Sequence, residues 1–226
     1  MYILWGLFIL VTSANLLTQR ETDLRLCLIR RYSKALLMPL LASIYISSAA
    51  DVNVAIVIAL ALGWIGDLFL MGIRKKDASG AVVISDPKWM FMLGLLSFLL
   101  GHLAYVYFFF TIVDWSKIPM LFYGIVCIVG WYGLIILKGV RPKGVMLVGV
   151  VLYMVVIGTM IVSALALFYI RLDLAATFIA LGAILFGSSD SVLAFRKIRG
   201  VDLLPNSYVM FSYISGQFLI ILGILN

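Results

Sequence analysis

Long apolar runs recur along the whole chain and constrain its fold more than any other feature. They occupy so much of the 226 residues that no stretch remains for a soluble domain, and only 12% of residues are charged against about a quarter in soluble proteins. Each run approaches the roughly 20 residues needed to cross a bilayer core as a helix. Strands would cross only as alternating segments of a closed barrel, and these runs are continuously apolar. We predict an all-α, polytopic transmembrane bundle forming one domain over residues 1–226, with eight helices at 2–17, 35–50, 52–72, 89–111, 118–137, 144–170, 174–195 and 206–225.

The positions of the basic residues predict how this bundle is oriented. Of the 17 lysines and arginines, Lys117 and Arg171 fall on one side of the predicted membrane and fifteen on the other. These fifteen are Arg20, Arg25, Arg30, Arg31, Lys34, Arg74, Lys75, Lys76, Lys88, Lys138, Arg141, Lys143, Arg196, Lys197 and Arg199. By the positive-inside rule, four basic connections are cytoplasmic and both termini are extracytoplasmic. The net charge of +7 then reflects topology and attraction to anionic membrane lipids, and it predicts no nucleic-acid partner.

Two aspartates lie inside predicted helices, where a charge costs on the order of 3 kcal/mol or more. Asp67 stands in "GWIGDLFLM" and Asp190 in "GSSDS", each on the order of 10 Å inside the cytoplasmic boundary at 1.5 Å per residue. The other eight acidic residues fall in connections or at helix ends, where water solvates them: Glu21, Asp23, Asp51, Asp77, Asp86, Asp114, Asp173 and Asp202. Small residues share the helix faces of Asp67 and Asp190, which is typical of packed faces. We therefore predict that both carboxyl groups point into the bundle, where they can meet.

Two interpretations of these carboxyl groups remain open at this point. Each could be a structural anchor, hydrogen-bonded to Ser188, Ser189, Ser191 or a tyrosine, or paired with Lys34. Alternatively they form a functional pair, because burial and mutual repulsion keep one of two close carboxyl groups protonated while the other ionises.

Other polar residues in the apolar spans are candidates for supporting roles. His102 in "GHLAYVYFFF" and Gln217 in "YISGQFLI" are predicted near the membrane midplane. Ser189 and Tyr213 are further candidates for supporting the site or binding substrate. One histidine is too few for a zinc hydrolase, which needs about three protein ligands, and we find neither a G-x-S-x-G elbow nor a phosphate-binding glycine loop. We expect a site without metal or cofactor.

Five segments carry motifs of a known family: "SKALLMPLL" (33–41), "GDLFLM" (66–71), "GLLSFLLGHLAYVYFF" (94–109), "GAILFGSSDSVLAF" (182–195) and "YISGQFLI" (213–220). Together they resemble the YhhN-like family of membrane lysoplasmalogenases. The resemblance implies about eight transmembrane helices and hydrolysis of the vinyl ether bond of lysoplasmalogens, giving a fatty aldehyde and a glycerophospho-ethanolamine or -choline. It implies that Asp67 and Asp190 are the family's two membrane aspartates, with Lys34, His102 and Gln217 at other motif positions. The first motif departs from the family pattern, because Ala35 stands where a proline is expected after the lysine.

The chemistry of a vinyl ether suits two carboxyl groups. Protonation of its β-carbon gives an oxocarbenium ion, to which water adds, so one aspartate would act as general acid while the other stabilises the cation. The sequence does not assign the two roles. Lys34, at the predicted mouth of the second span, is the candidate contact for the lysophospholipid phosphate, with Arg74 or Arg196 assisting.

Two other functions remain possible from the sequence. A proton-coupled transporter would use the aspartates as a relay, although the broken helices typical of inverted-repeat transporters are not evident. A non-catalytic lipid-binding protein would use them structurally. In each case we expect a bacterial inner-membrane protein whose site opens toward the cytoplasm, and we leave its oligomeric state open.

Overall fold

The computed structural model of this chain is almost entirely helical. It describes residues 2–20, 24–76, 82–85 and 87–226, and their side chains except at positions 20, 24, 74–76 and 82–85. This part of the chain contains eight α-helices, which confirms the predicted helical class. The helices are α1 (Tyr2–Leu17), α2 (Leu24–Ser48), α3 (Val54–Leu70), α4 (Lys88–Ile112), α5 (Tyr123–Val140), α6 (Val145–Arg171), α7 (Leu174–Ala194) and α8 (Asn206–Leu225). Among the acids predicted to lie in connections, Glu21, Asp23, Asp77 and Asp86 fall outside the described residues.

Five helical segments are long and apolar enough to cross a membrane. They are Lys88–Ile112, Met120–Val140, Val145–Arg171, Leu174–Arg199 and Asn206–Leu225. The helices α1 and α3 are apolar but have only 16 and 17 residues. The first half of α2 carries four basic residues and is correspondingly less apolar. Of the eight predicted spans, five therefore have both the length and the hydropathy of a membrane helix in the described chain.

Two segments differ from the sequence prediction. The helix α2 begins at Leu24 rather than near residue 35, so Lys34 lies well inside a helix and not at its mouth. The connection after α3 forms an antiparallel hairpin of β1 (Ile73–Lys76) and β2 (Val82–Ser85), where we expected no strand. Consecutive β-branched residues in β2 favour an extended backbone once the chain has left the apolar helix.

The core of the bundle lies around two closely packed helix pairs. α7 runs along α8 and α3 runs along α4, while α6 contacts both α4 and α7. α5 lies outermost, and most of its side chains are exposed.

At its N-terminus α7 is capped by Asp173, whose carboxylate accepts a hydrogen bond from the backbone N–H of Ala176 at 2.7 Å. That hydrogen bond holds the pKa of Asp173 below its usual value.

Glycine contacts set the spacing of α7 and α8 and lead to a first prediction. A β-carbon on Gly182 would lie 2.7 Å from the carbonyl oxygen of Gly216, where backbone cannot easily give way. We expect Gly182→Ala to destabilise the fold by about 1–3 kcal/mol, as other overpacked cores are. The matched control is Gly130→Ala on α5, where nothing lies within 4 Å of the added carbon. Thermal unfolding in detergent measures both variants; equal midpoints would contradict this account of the interface.

Candidate functional site

A polar cavity opens among α2, α3, α7 and α8 at the end of the bundle where basic residues collect. This inner cavity has a volume of about 220 Å³. Asp67 and Asp190 both line it, three residues before the end of α3 and four before the end of α7. Five basic residues contribute to its walls: Arg30, Arg31, Lys34, Arg196 and Lys197. An anionic group entering here would be surrounded by positive charge, with two carboxyl groups also in the wall.

Asp67 is buried and has two polar partners. Its side chain is 2% exposed, and its carboxylate lies 3.1 Å from the ammonium of Lys34. The hydroxyl of Tyr213 donates to its other oxygen at 2.7 Å. The indole N–H of Trp64 donates to the carbonyl of Ala35 at 2.9 Å and so ties α2 to α3 beside the ion pair. These contacts hold Asp67 in one position with a full positive charge beside it.

Asp190 has a different set of partners. The hydroxyl of Tyr153, from α6, donates to its Oδ2 atom. Nε2 of His102, from α4, lies 3.9 Å from the same oxygen. Among the described residues, the basic group within 4 Å of Asp190 is therefore an imidazole, whereas that of Asp67 is an ammonium. The two carboxyl groups differ in their charge environment although they border one cavity.

The two carboxyl groups and Tyr213 all line the inner cavity. Each carboxyl nevertheless accepts its hydrogen bond from a separate tyrosine, Tyr213 for Asp67 and Tyr153 for Asp190. The structure thus brings the two aspartates to one cavity without placing them in a shared hydrogen bond in the described part of the chain.

A second, apolar cavity of about 60 Å³ reaches Asp190 from the other side. It lies among α4, α5, α6 and α7, and it is lined by Leu95, Ile136, Ile157 and other apolar side chains. Asp190 lines this cavity as well as the inner cavity, and Leu70, Phe98 and Leu193 do the same. Asp190 therefore stands where a polar compartment meets an apolar one.

His102 is packed into the aromatic side of the site. Its ring lies 4.6 Å from that of Phe186 and 5.3 Å, edge-on, from that of Tyr153. Its side chain is 2% exposed, and neither ring nitrogen has a hydrogen-bond partner among the described residues. The structure therefore brings His102 to Asp190, where the sequence placed it only at the midplane.

Two other candidates serve to join helices. Gln217 is buried on α8, and its Oε1 atom accepts the hydroxyl of Tyr105, on α4, at 2.6 Å. Ser189 lines the inner cavity, but its hydroxyl donates to the carbonyl of Val209 at 3.0 Å. Among the described residues, neither Gln217 nor Ser189 forms a hydrogen bond with an aspartate. Both therefore support the site by joining helices.

The basic residues around the cavity are engaged with the protein itself. Lys34 pairs with Asp67 and is one of the partners that the structural-anchor interpretation of the carboxyl groups named. The guanidinium of Arg31 donates to the backbone carbonyls of Met71 and Gly72, the two residues that follow α3, at 2.9 and 2.7 Å. Arg30 contacts the carbonyls of Thr18 and Gln19, both at 3.3 Å. The side chain of Arg74 lies outside the described residues.

Comparison with known proteins assigns the family. A protein-family model described as the YhhN family matches residues 29–224. The chain belongs to the YhhN family. This YhhN match begins in α2 and ends in α8, so it includes every residue of the inner cavity except Gln19 and Cys27. No curated protein and no solved structure matches the chain. Family membership confirms the resemblance drawn from the five sequence segments.

Tyr153 was not identified from the sequence. It lies in α6, whose other residues around this position are apolar, and a hydroxyl in such a run needs a partner when it is buried. That signal could have singled it out as a residue facing another polar group. Its pairing with Asp190 depends on how α6 and α7 are rotated against each other, which the sequence does not specify.

Proposed function

We propose that this YhhN-family protein is a lysoplasmalogenase, which hydrolyses the vinyl ether bond of lysoplasmalogens to a fatty aldehyde and a glycerophospho-ethanolamine or -choline. The observation that carries the proposal is the position of Asp190 between a basic polar cavity and an apolar one. A lysoplasmalogen has the same division, with a charged headgroup, an apolar chain and the vinyl ether between them. Its scissile bond would therefore lie beside Asp190.

The environments of the two carboxyl groups support different roles in this reaction. The ammonium of Lys34 and the hydroxyl of Tyr213 favour a carboxylate at Asp67. Asp190 has an imidazole at 3.9 Å in place of an ammonium and borders an apolar cavity, which favours its neutral form. We therefore assign Asp190 as the general acid and Asp67 as the anion that stabilises positive charge, as paired carboxyl groups do in glycosidases.

Each step of the proposed reaction then balances. The Asp190 carboxyl transfers its proton to the β-carbon, the electrons of the double bond form the new C–H bond, and the ether oxygen shares its lone pair to give the oxocarbenium ion. Water adds to the α-carbon and returns a proton to Asp190. The resulting hemiacetal breaks its bond to the glycerol oxygen, which takes the hydroxyl proton, and the aldehyde leaves. The net change is addition of one water.

The test is aldehyde release by the purified protein in detergent from 1-alkenyl lysophosphatidylethanolamine, with a chelator present. We expect stoichiometric aldehyde and glycerophosphoethanolamine, and no product from the matching 1-alkyl lipid, which lacks the double bond that must be protonated. If no aldehyde forms with either ethanolamine or choline headgroups across pH 5 to 8, the hydrolase proposal is wrong. Proton flux in reconstituted vesicles would then test the transporter alternative.

We also propose, from the positive-inside rule, that the inner cavity faces the cytoplasm of a bacterial inner membrane, since its mouth carries the basic residues. Accessibility of Cys27, which lines this cavity, to a membrane-impermeant thiol reagent tests the orientation. Labelling in intact spheroplasts, where only the outer surface is reachable, would contradict it.

A further inference from the structure

The guanidinium of Arg196 is held by the loop that precedes α8 and by the first residue of that helix. It forms an ion pair with the carboxylate of Asp202, and it donates to the carbonyl of Leu204 at 2.6 Å and to Oδ1 of Asn206 at 2.7 Å. Asn206 in turn donates to Gln19, in the short 3-10 turn that follows α1. Arg196 lies in a π-helical turn, Phe195–Arg199, that continues α7 beyond the site.

This cluster stands at the entrance to the inner cavity. An outer cavity of about 740 Å³ shares Gln19, Arg30 and Arg196 with the inner one, and Asp202 and Leu204 line only the outer one. The Arg196 side chain is 20% exposed and that of Asp202 is 74% exposed. An anionic group that moves from the outer to the inner cavity therefore passes the point where Asp202 contacts Arg196.

Arg196 differs from the other arginines of the inner cavity in the kind of partner it has. Arg30 and Arg31 are held by backbone carbonyls, which belong to helix ends and cannot leave. Among the described residues, Arg196 is the arginine of this cavity whose guanidinium is paired with a carboxylate, and that carboxylate is largely in water. Such a pair contributes little stability, so its exchange for another anion costs little.

We propose that Arg196 binds the phosphate of the lipid headgroup and that the Asp202 carboxylate occupies this position when no lipid is bound. The proposal rests on the proposed function, because it identifies the headgroup contact of the same site. A phosphodiester offers two anionic oxygens to the planar guanidinium, and charge-assisted contacts of this kind are stronger than a single exposed ion pair. The contacts of Arg196 with Leu204 and Asn206 remain, so the loop stays attached while Asp202 swings into water. Arg196 then replaces Lys34, which is paired with Asp67, as the principal phosphate contact.

The test measures binding of two lipids that the enzyme cannot cleave. One is 1-O-hexadecyl-glycero-3-phosphoethanolamine, and the other is 1-O-hexadecylglycerol, which lacks the phosphate. We expect Asp202→Asn to bind the phospholipid roughly tenfold more tightly, because Arg196 no longer has a competing carboxylate, and to bind the neutral lipid as the wild type does. Arg196→Gln should weaken binding of the phospholipid roughly tenfold or more and leave the neutral lipid unaffected. The matched control is Asp173→Asn, which removes the same charge from an exposed arginine pair at the opposite end of α7.

Each outcome decides the proposal. Unchanged phospholipid affinity in Asp202→Asn, or an equal gain for the neutral lipid, would overturn the exchange of Asp202 for phosphate. If inorganic phosphate displaces the phospholipid at equal concentration, the site takes free phosphate and the lipid assignment is wrong. If Arg196→Gln lowers the yield of folded protein, Arg196→Lys is measured in its place, because lysine keeps the positive charge but lacks the planar guanidinium. Since neither lipid is cleaved, the result does not depend on whether the protein hydrolyses vinyl ethers.

Discussion

An Asp190→Asn variant is expected to release aldehyde at least about a hundredfold more slowly than the wild type, the usual effect of removing a general acid. The amide keeps an oxygen that can accept the Tyr153 hydroxyl, so the packing around α6 and α7 is preserved. It has no acidic proton to transfer to the β-carbon. The loss should appear in kcat, with little change in KM, because the substitution removes the acidic proton and leaves the lining of both cavities otherwise unchanged. Initial rates of aldehyde release across substrate concentrations measure both constants.

The matched control for Asp190→Asn is the same substitution at Asp173. Asparagine caps helices about as well as aspartate, so Asp173→Asn should keep wild-type turnover and folding. Three results distinguish the functions considered for the aspartates. Folded but inactive Asp190→Asn supports catalysis; loss of folded protein indicates a structural anchor; and retained turnover in a folded variant shows that Asp190 does not deliver the proton.

The helical fold could be predicted because apolar length alone restricts what crosses a bilayer. Predicted and observed bounds agree within two residues for α4, α6, α7 and α8. The beginning of α2 could not be found in this way, since Arg25, Arg30 and Arg31 make its first half resemble a connection. That half is helical because the guanidinium groups of Arg30 and Arg31 find carbonyls of other segments at the polar end of the bundle. A hydropathy profile scores each residue by itself and therefore does not include these hydrogen bonds to carbonyls of other segments.

The sequence predicts that Asp67 and Asp190 lie at one depth and can meet, and the structure places both in the wall of the inner cavity, but the sequence did not decide which partner each carboxyl group has. Depth along two helices was enough to select Asp67 and Asp190, because each helix has a fixed rise per residue. Which groups contact them depends on the rotation of neighbouring helices. Lys34 contacts Asp67 from inside α2, which begins at Leu24 and not near residue 35, and Tyr153 contacts Asp190 from a helix in which the sequence showed no motif. The contrast between the two carboxyl groups, on which their proposed roles depend, therefore became visible only in three dimensions.

The Lys34 and Asp67 ion pair gives the largest expected effect on stability. Replacing Lys34 with methionine leaves a carboxylate that is 2% exposed without its ammonium, and breaking a buried pair in this way costs about 3–5 kcal/mol. Asp67→Asn should cost less, because the Lys34 side chain is 18% exposed and can turn its ammonium toward the polar cavity. The double variant should recover most of the loss of Lys34→Met, since no unpaired charge remains. Unfolding midpoints of the four proteins in one detergent form the required double-mutant cycle.

The same cycle on the exposed pair of Lys117 and Asp114 is the control for this prediction, with 66% and 48% of the two side chains exposed. Lys117→Met should leave the midpoint unchanged within error, because water solvates the remaining carboxylate. Additive losses at Lys34 and Asp67 would show that the two side chains stabilise the fold separately. The ion pair would then not explain why a buried carboxyl group is tolerated in the apolar helix α3. A strongly non-additive cycle would mean that Lys34 stabilises the charged form of Asp67. If the Asp67→Asn variant and the double variant are also folded but inactive, the charge of Asp67 is needed for the reaction.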